Sequence, residues 1–258
     1  MAGRIKAEMI DQIDYNRIME MYKDRFKEAG DFTFLFVGNI NLEEAKPLIE
    51  TYLGGLPTIN RKENYQDIKM DIRKGAHKNL FTKQMETPKA TVLNIISGNC
   101  EYNLKNDLLM TMLSQTMSMV YLETVREKEG ASYGVSAFGQ LSRGVKDEAI
   151  FQIYFDTDPA KREKMEQIVV SELQKVAQEG PRPEHLAKVK EFLLKKHIEN
   201  AKENGYWLGQ LNSYYWHNTD MNTDYEKLVN ELGVEDVKNF TKALLDQGNI
   251  IEITMTAK

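Results

Sequence analysis

The stretch ASYGVSAFGQLSRGVKDEAIFQIYFD, residues 131–156, decides the fold. Its two ends, ASYGVSAFG and EAIFQIYFD, read as strands. The polar, glycine-containing QLSRGVKD between them is short enough only for a hairpin. Antiparallel pairing is therefore built in at this point, because parallel neighbours need a long crossover.

Working outward, a long helix is expected upstream from about Leu104 to Lys128. Leu109, Leu113, Met117 and Val120 keep to one face, and Leu108, Met112 and Met119 widen it. Before it, KNLFTKQ (78–84) and ATVLNIISG (90–98) read as strands turning at Thr87-Pro88. Downstream, Asp158-Pro159 caps and opens a helix carrying Met165, Ile168, Val169, Leu173 and Val176. Gly180-Pro181 ends it, and Pro183 starts another with Leu186, Val189 and Leu193 on one face. The aromatic run YWLGQLNSYYWHN (206–218) reads as helical or tightly turned, fit for core packing or for contact with a neighbouring domain. A short helix near Val234–Leu245 and a last strand, IIEITMT (250–256), complete the pattern.

Strand pairs with long helices between them imply an α+β fold. The expected form is a two-layer sandwich, a mainly antiparallel sheet with helices packed on one face.

The first part of the chain carries a second unit. Residues ~5–28 have helical apolar spacing, FTFLFVGNI (32–40) reads as a compact strand, and Asn41 caps a helix from Leu42 to about Tyr52 that Gly54-Gly55 stop. The polar residues after Pro57 lack periodicity and read as a linker. YNRIMEMYKDRFKEAGDFTFLFVGNI (15–40) and VEDVKNFTKALLDQGNIIEITMT (234–256) echo one another as helix, turn and strand. We therefore divide the chain into residues 1–57, the tail of a preceding domain; 58–71, a linker; and 72–258, a nearly complete domain. The charged start suggests a piece of something longer. An apolar strand at 32–38 is expected to pack on a sheet edge, in this chain or a second copy.

Composition narrows the function. The 258 residues carry a net charge of −5, without the basic footprint of a nucleic-acid groove. No apolar run is long enough to span a bilayer, and no signal-peptide core opens the chain. Its one cysteine, Cys100, excludes a disulfide framework and fits either cytoplasm or periplasm. Of the four histidines, His185 and His197 are twelve apart, the wrong spacing for two metal ligands on one helical face. Each histidine reads as surface or capping. No metal site is expected in this chain.

Arg126 and Tyr133 are the candidate site residues. Alone, Arg126 suits a helix C-terminus as a cation, and Tyr133 suits a strand at a sheet edge. Their other use is joint. A guanidinium fork can bind a carbonyl or carboxylate, a phenol can donate to a developing oxyanion, and small Ala131, Ser132 and Gly134 leave room for a peptide backbone.

YLETVREKEGASYGVSAFGQLSRG (121–144) resembles the Arg–Tyr segment in the non-zinc half of insulinase-like (pitrilysin) zinc metallopeptidases. FTFLFVGNINLEEAKPLIETYLGGLP (32–57) is similar to the family's strand–turn–helix, with Asn39 in place of its aspartate. VSELQKVAQEGPRPEHLAKVKEFL (170–193) is similar to its long helix, glycine and following helix. The resemblance implies α/β domains enclosing a chamber. Zinc is then expected in the N-terminal half, on an H-x-x-E-H helix that this chain lacks. The C-terminal half closes the chamber, Arg126 binds the substrate backbone, and Tyr133 stabilises the tetrahedral oxyanion. Partners follow as the zinc-bearing N-terminal half, or a partner subunit, together with peptide substrates. Alone, the chain is expected to be inactive. Two other readings stand beside this one: a non-catalytic scaffold or binding subunit on the same domain, and an unrelated small-molecule-binding domain.

Overall fold

The computed structural model describes residues 6–67, 69, 71–128 and 134–258, with the side chains of residues 126–128 outside the description. Two compact units emerge, Met1–Asp71 and Ile72–Lys258.

In the first unit a 3₁₀ turn at Ala7–Gln12 precedes helix α1, Tyr15–Phe26. The single helix expected over 5–28 is thus broken. Asp14 breaks it by capping α1, its Oδ1 accepting from the amides of Asn16 (2.9 Å) and Arg17 (3.1 Å). Helix α2, Leu42–Tyr52, keeps its expected bounds, with Asn41 as its cap. Residues 32–37 do not form the expected strand. No strand stands among the described residues of this unit to pair with it, and Phe32, Phe34 and Phe36 stay exposed, with Phe32 set edge-on between Phe26 and Phe34. Pairing with an edge in this chain is therefore not found among the described residues.

A carboxylate organises this unit. Glu28 is only 3% exposed. It accepts from Thr58 Oγ1 (2.6 Å) and from the amides of Gly30 (2.8 Å), Ile59 (2.9 Å) and Arg61 (2.7 Å). Residues 58–61 are thereby pinned by the end of α1. Arg61 also clasps Asp24, donating to both carboxylate oxygens at 3.2 Å.

The second unit is built on a five-stranded sheet, order β1-β5-β2-β4-β3. Its strands are β1 (Ala76–Lys83), β2 (Ala90–Asn99), β3 (Val135–Arg143), β4 (Asp147–Thr157) and β5 (Asn249–Ala257). The β3–β4 hairpin is as the sequence requires. β1 and β2 are antiparallel but do not touch, because β5 inserts between them, parallel to β1 and antiparallel to β2. Six residues link β1 to β2, ample to step over one strand spaced ~5 Å from each neighbour. The sheet is mixed but mainly antiparallel.

One face is covered. Ala90, Val92, Asn94 and Ile96 of β2 are buried together with Ala149, Phe151, Ile153 and Phe155 of β4. Over them lie α3 (Leu104–Tyr121), α4 (Arg162–Glu179) and α8 (Val234–Leu245), and α5 (Pro183–Asn200) and α7 (Tyr225–Glu231) pack outside α3. The opposite face carries Phe81, Phe138 and Tyr154, all exposed. The α+β fold with helices on one face is what the sequence predicts. Every apolar position expected on α3, α5 and the inner face of α4 is buried or packed on the core. Helix α6, Asn204–His217, has no buried residue; Tyr214, Tyr215 and Trp216 face outward, so core packing does not account for this aromatic run.

Two glycines fix the geometry. A Cβ at Gly139 of β3 would run into the Met110 and Ser114 side chains of α3, so a larger residue there requires those side chains to shift. Gly180, at φ +85°, ends α4 in a conformation that L side chains rarely adopt.

Gly139→Ala should destabilise the second unit by about 1–3 kcal/mol through overpacking. Met110→Ala should partly relieve it, so the double variant loses less than the two single losses added together in urea unfolding. The four donors on Glu28, Thr58 foremost, hold its carboxyl down to about 2, against an ordinary 4.5. The folded value is the lower one, so this stabilisation is complete above about pH 4.5 and disappears as pH falls toward 2. Hydrogen exchange at the Ile59 and Arg61 amides should accelerate across that window, and Glu28→Gln should abolish the step.

Candidate functional site

The segment with the candidate residues leaves the core at the end of α3. Val125 is fully buried, and the chain from Leu122 to Lys128 is wound as a π-helix rather than as the expected last α-turns. Such turns are rare and recur at functional sites. Arg126 lies on this π-turn by its backbone. Its side chain, and the whole of Tyr133, lie outside the described residues. The chain re-enters as β3, an edge strand paired only with β4 among the described residues, so its outer backbone edge is open.

An ion cluster anchors the π-turn at its start. Glu123 pairs with Arg182, just ahead of α5, and its Oε1 lies 2.9 Å from Nε2 of His185 on α5. Arg182 foremost, and His185 with it, hold the Glu123 carboxyl below its ordinary range. His185 is 2% exposed. It is therefore a buried partner of a carboxylate, not a surface histidine. Nothing local in the chain signals this pairing, since 62 residues separate the two. Thr124 adds a bond from Oγ1 to the Val120 carbonyl, 2.6 Å.

Other reactive groups are engaged or unsuited. Burial pushes the Cys100 thiol up to about 11, leaving little thiolate near neutral pH. The His197 ring stacks on Tyr225 at 4.2 Å, and Tyr206 Oη lies 3.1 Å from its Nδ1. Among the described residues no group of three or more His, Cys, Asp or Glu is placed to hold a metal ion. Glu123 and His185 bond each other and Arg182, so they do not fit a zinc site. No described helix is long and apolar enough to cross a membrane.

The sequence profile of the peptidase M16 inactive domain matches residues 12–193, more than half of the chain. The chain belongs to the peptidase M16 family. A zinc protease PQQL-like protein of Arabidopsis thaliana is 24% identical over 225 residues, covering 80% of this chain and 23% of that protein. Among solved structures, the periplasmic protease PqqL of Escherichia coli superposes with a TM-score of 0.72 at 17% identity, over 86% of this chain and 25% of its own. The ferredoxin protease FusC, solved with Arabidopsis ferredoxin, reaches 0.77 at 12% identity, over 99% of this chain and 28% of its own. At such identities the structural likeness is one of fold. The chain spans about a quarter of the length of these M16 relatives. It corresponds to the inactive, non-zinc-binding type of domain in this insulinase-like family of zinc peptidases.

Glu123→Ala would leave buried His185 without its carboxylate, at a cost of about 1–3 kcal/mol. Urea unfolding should register that loss, and hydrogen exchange should show faster opening confined first to residues 122–128.

Proposed function

We propose that this chain is the zinc-free, C-terminal part of an M16 zinc metallopeptidase, closing the peptide chamber and lending Arg126 and Tyr133 to peptide hydrolysis. Arg126 binds the substrate backbone through its guanidinium fork. Tyr133 donates its phenol O–H to the oxyanion of the tetrahedral intermediate. The observation that carries this reading is the inactive-domain match over 12–193, which spans the Arg126–Tyr133 segment. The buttressed π-turn that carries Arg126 and the open edge of β3 after Tyr133 support it. An extended peptide can lie along such an edge by main-chain hydrogen bonds.

Zinc belongs in this reading to the N-terminal half of the enzyme, or to a partner subunit, where it activates the attacking water. This chain's share is to hold and orient the peptide and to receive developing negative charge. The exposed aromatic face of α6 and the exposed apolar residues of the first unit, Phe36 and Leu42 among them, are surfaces suited to contact with the rest of the enzyme. Those same surfaces would serve a scaffold subunit, which is the alternative.

In the complete enzyme, Tyr133→Phe should lower turnover by ~10²–10³ with folding intact, the usual consequence of losing one oxyanion donor. Arg126→Ala should chiefly raise KM. An unchanged rate for Tyr133→Phe contradicts the assigned role. Adding the purified chain to the zinc-bearing half separates the two readings: restored cleavage supports the peptidase role, and association without cleavage supports the scaffold.

A further inference from the structure

Asn94 sits in the middle of β2, on the helix-covered side of the sheet, between Val92 and Ile96. It is 4% exposed. Its strand neighbours on the same rung are Ile153 on β4 and Glu252 on β5. Glu252 is engaged by Lys78 at 2.9 Å. The Asn94 carboxamide makes no side-chain hydrogen bond to another described residue, and its polar atoms border open space rather than being sealed off.

The amide faces open space. A cavity of about 640 Å³ lies between α4, α8 and the sheet, with Asn94, Ile96, Ile153, Leu173 and Ile250 in its wall. A second cavity, about 630 Å³, runs toward the start of α4, past Arg162, Glu166 and Lys78. Asn94, Val170, Gln174 and Glu252 line both, so the two form one trough beneath α4. Its far end joins apolar Leu173, Leu245 and Ile250 with charged Lys238, Lys242 and Asp246, and its near end is ion-paired, with Arg162 bound to Glu166 at 3.0 Å. The volume is that of a ligand site.

We propose that this trough binds a short segment of extended polypeptide, seating a leucine-sized side chain against the apolar residues of the far end and pairing a backbone amide with Asn94. A carboxamide offers a donor and an acceptor side by side, the complement of a peptide group. The trough follows α4 from Glu163 to Gln178, ~22 Å at helical rise. That length takes about six or seven extended residues. Apolar residues at one end, a central amide and charged groups along both ends suit a peptide better than a compact uncharged ligand. The inference stands apart from the roles of Arg126 and Tyr133, and binding here needs no zinc and no cleavage.

The test uses the full chain with two capped peptides, acetyl-Gly-Gly-Leu-Gly-Gly-amide and its all-glycine counterpart, followed by calorimetry. The leucine peptide should bind about tenfold or more tighter, as expected for burying that side chain. Asn94→Leu should keep the fold and weaken binding about fivefold, by loss of the amide pairing. A photo-leucine version of the peptide should cross-link to residues 170–178 and 238–246 of the unaltered chain, which carries the test should Asn94→Leu fail to fold. Equal affinity of the two peptides, no binding at millimolar concentration, adducts confined to the exposed sheet face, or binding of laurate in their place would each overturn the proposal.

Discussion

The close approach of α3 to the sheet at Gly139 is the constraint on which the second unit rests. With no side chain on β3 at that point, Met110 and Ser114 press directly on the strand. The rest of α3 then lies along β3 and supplies the largest share of the core, from Leu104 through Met117 to Tyr121. Tyr121 ends this run with its phenol donating to the Val169 carbonyl of α4 at 2.9 Å, tying the two central helices together. The direction in which the chain leaves α3, and hence the position of the π-turn that follows, is set by this packing.

Buried charge does separate work in each unit. In the first, where none of the described apolar residues is buried, the carboxylate of Glu28 substitutes for a core by gathering donors from four residues. In the second, Glu123, Arg182 and His185 stitch the π-turn to the start of α5. Removing one member of such a cluster costs more than the cluster adds over apolar packing, because the remaining groups are left without partners. Clusters of this kind fix a position more than they add stability.

Much of the fold was legible because its signals are local. Asn41 and the two glycines after α2 mark that helix to the residue, and the spacing of Leu109, Leu113 and Met117 exposes the buried face of α3. The β3–β4 hairpin follows from one short polar connection. Strand order was not legible. Nothing near Ile250 or Ile253 says that β5 will separate β1 from β2, since an alternating apolar strand fits either edge. Phe32 to Val37 has the composition of a strand but finds no ladder among the described residues of its own unit. The segment from Arg126 to Tyr133 was picked out by its pattern and by family resemblance, whereas its anchor, Glu123 with His185, joins residues far apart in sequence. Asn94 was visible in the sequence as one polar residue in an apolar run, yet only the register and the space beside it give it a meaning.

The insertion of β5 has a consequence for how the chain is made. The central ladder partner of both β1 and β2 is the stretch 249–257, the last of the sheet to be synthesised. On the ribosome, the hairpin of β3 and β4 can form with β2 beside it while β1 hangs unpaired. Closure waits until residues 249–257 have emerged, and it joins segments about 170 positions apart. Ordering that depends on such distant contacts is slow. During the delay the apolar edge of β2 is open, and a nascent chain of this design gains from a chaperone that shields it until its final strand arrives.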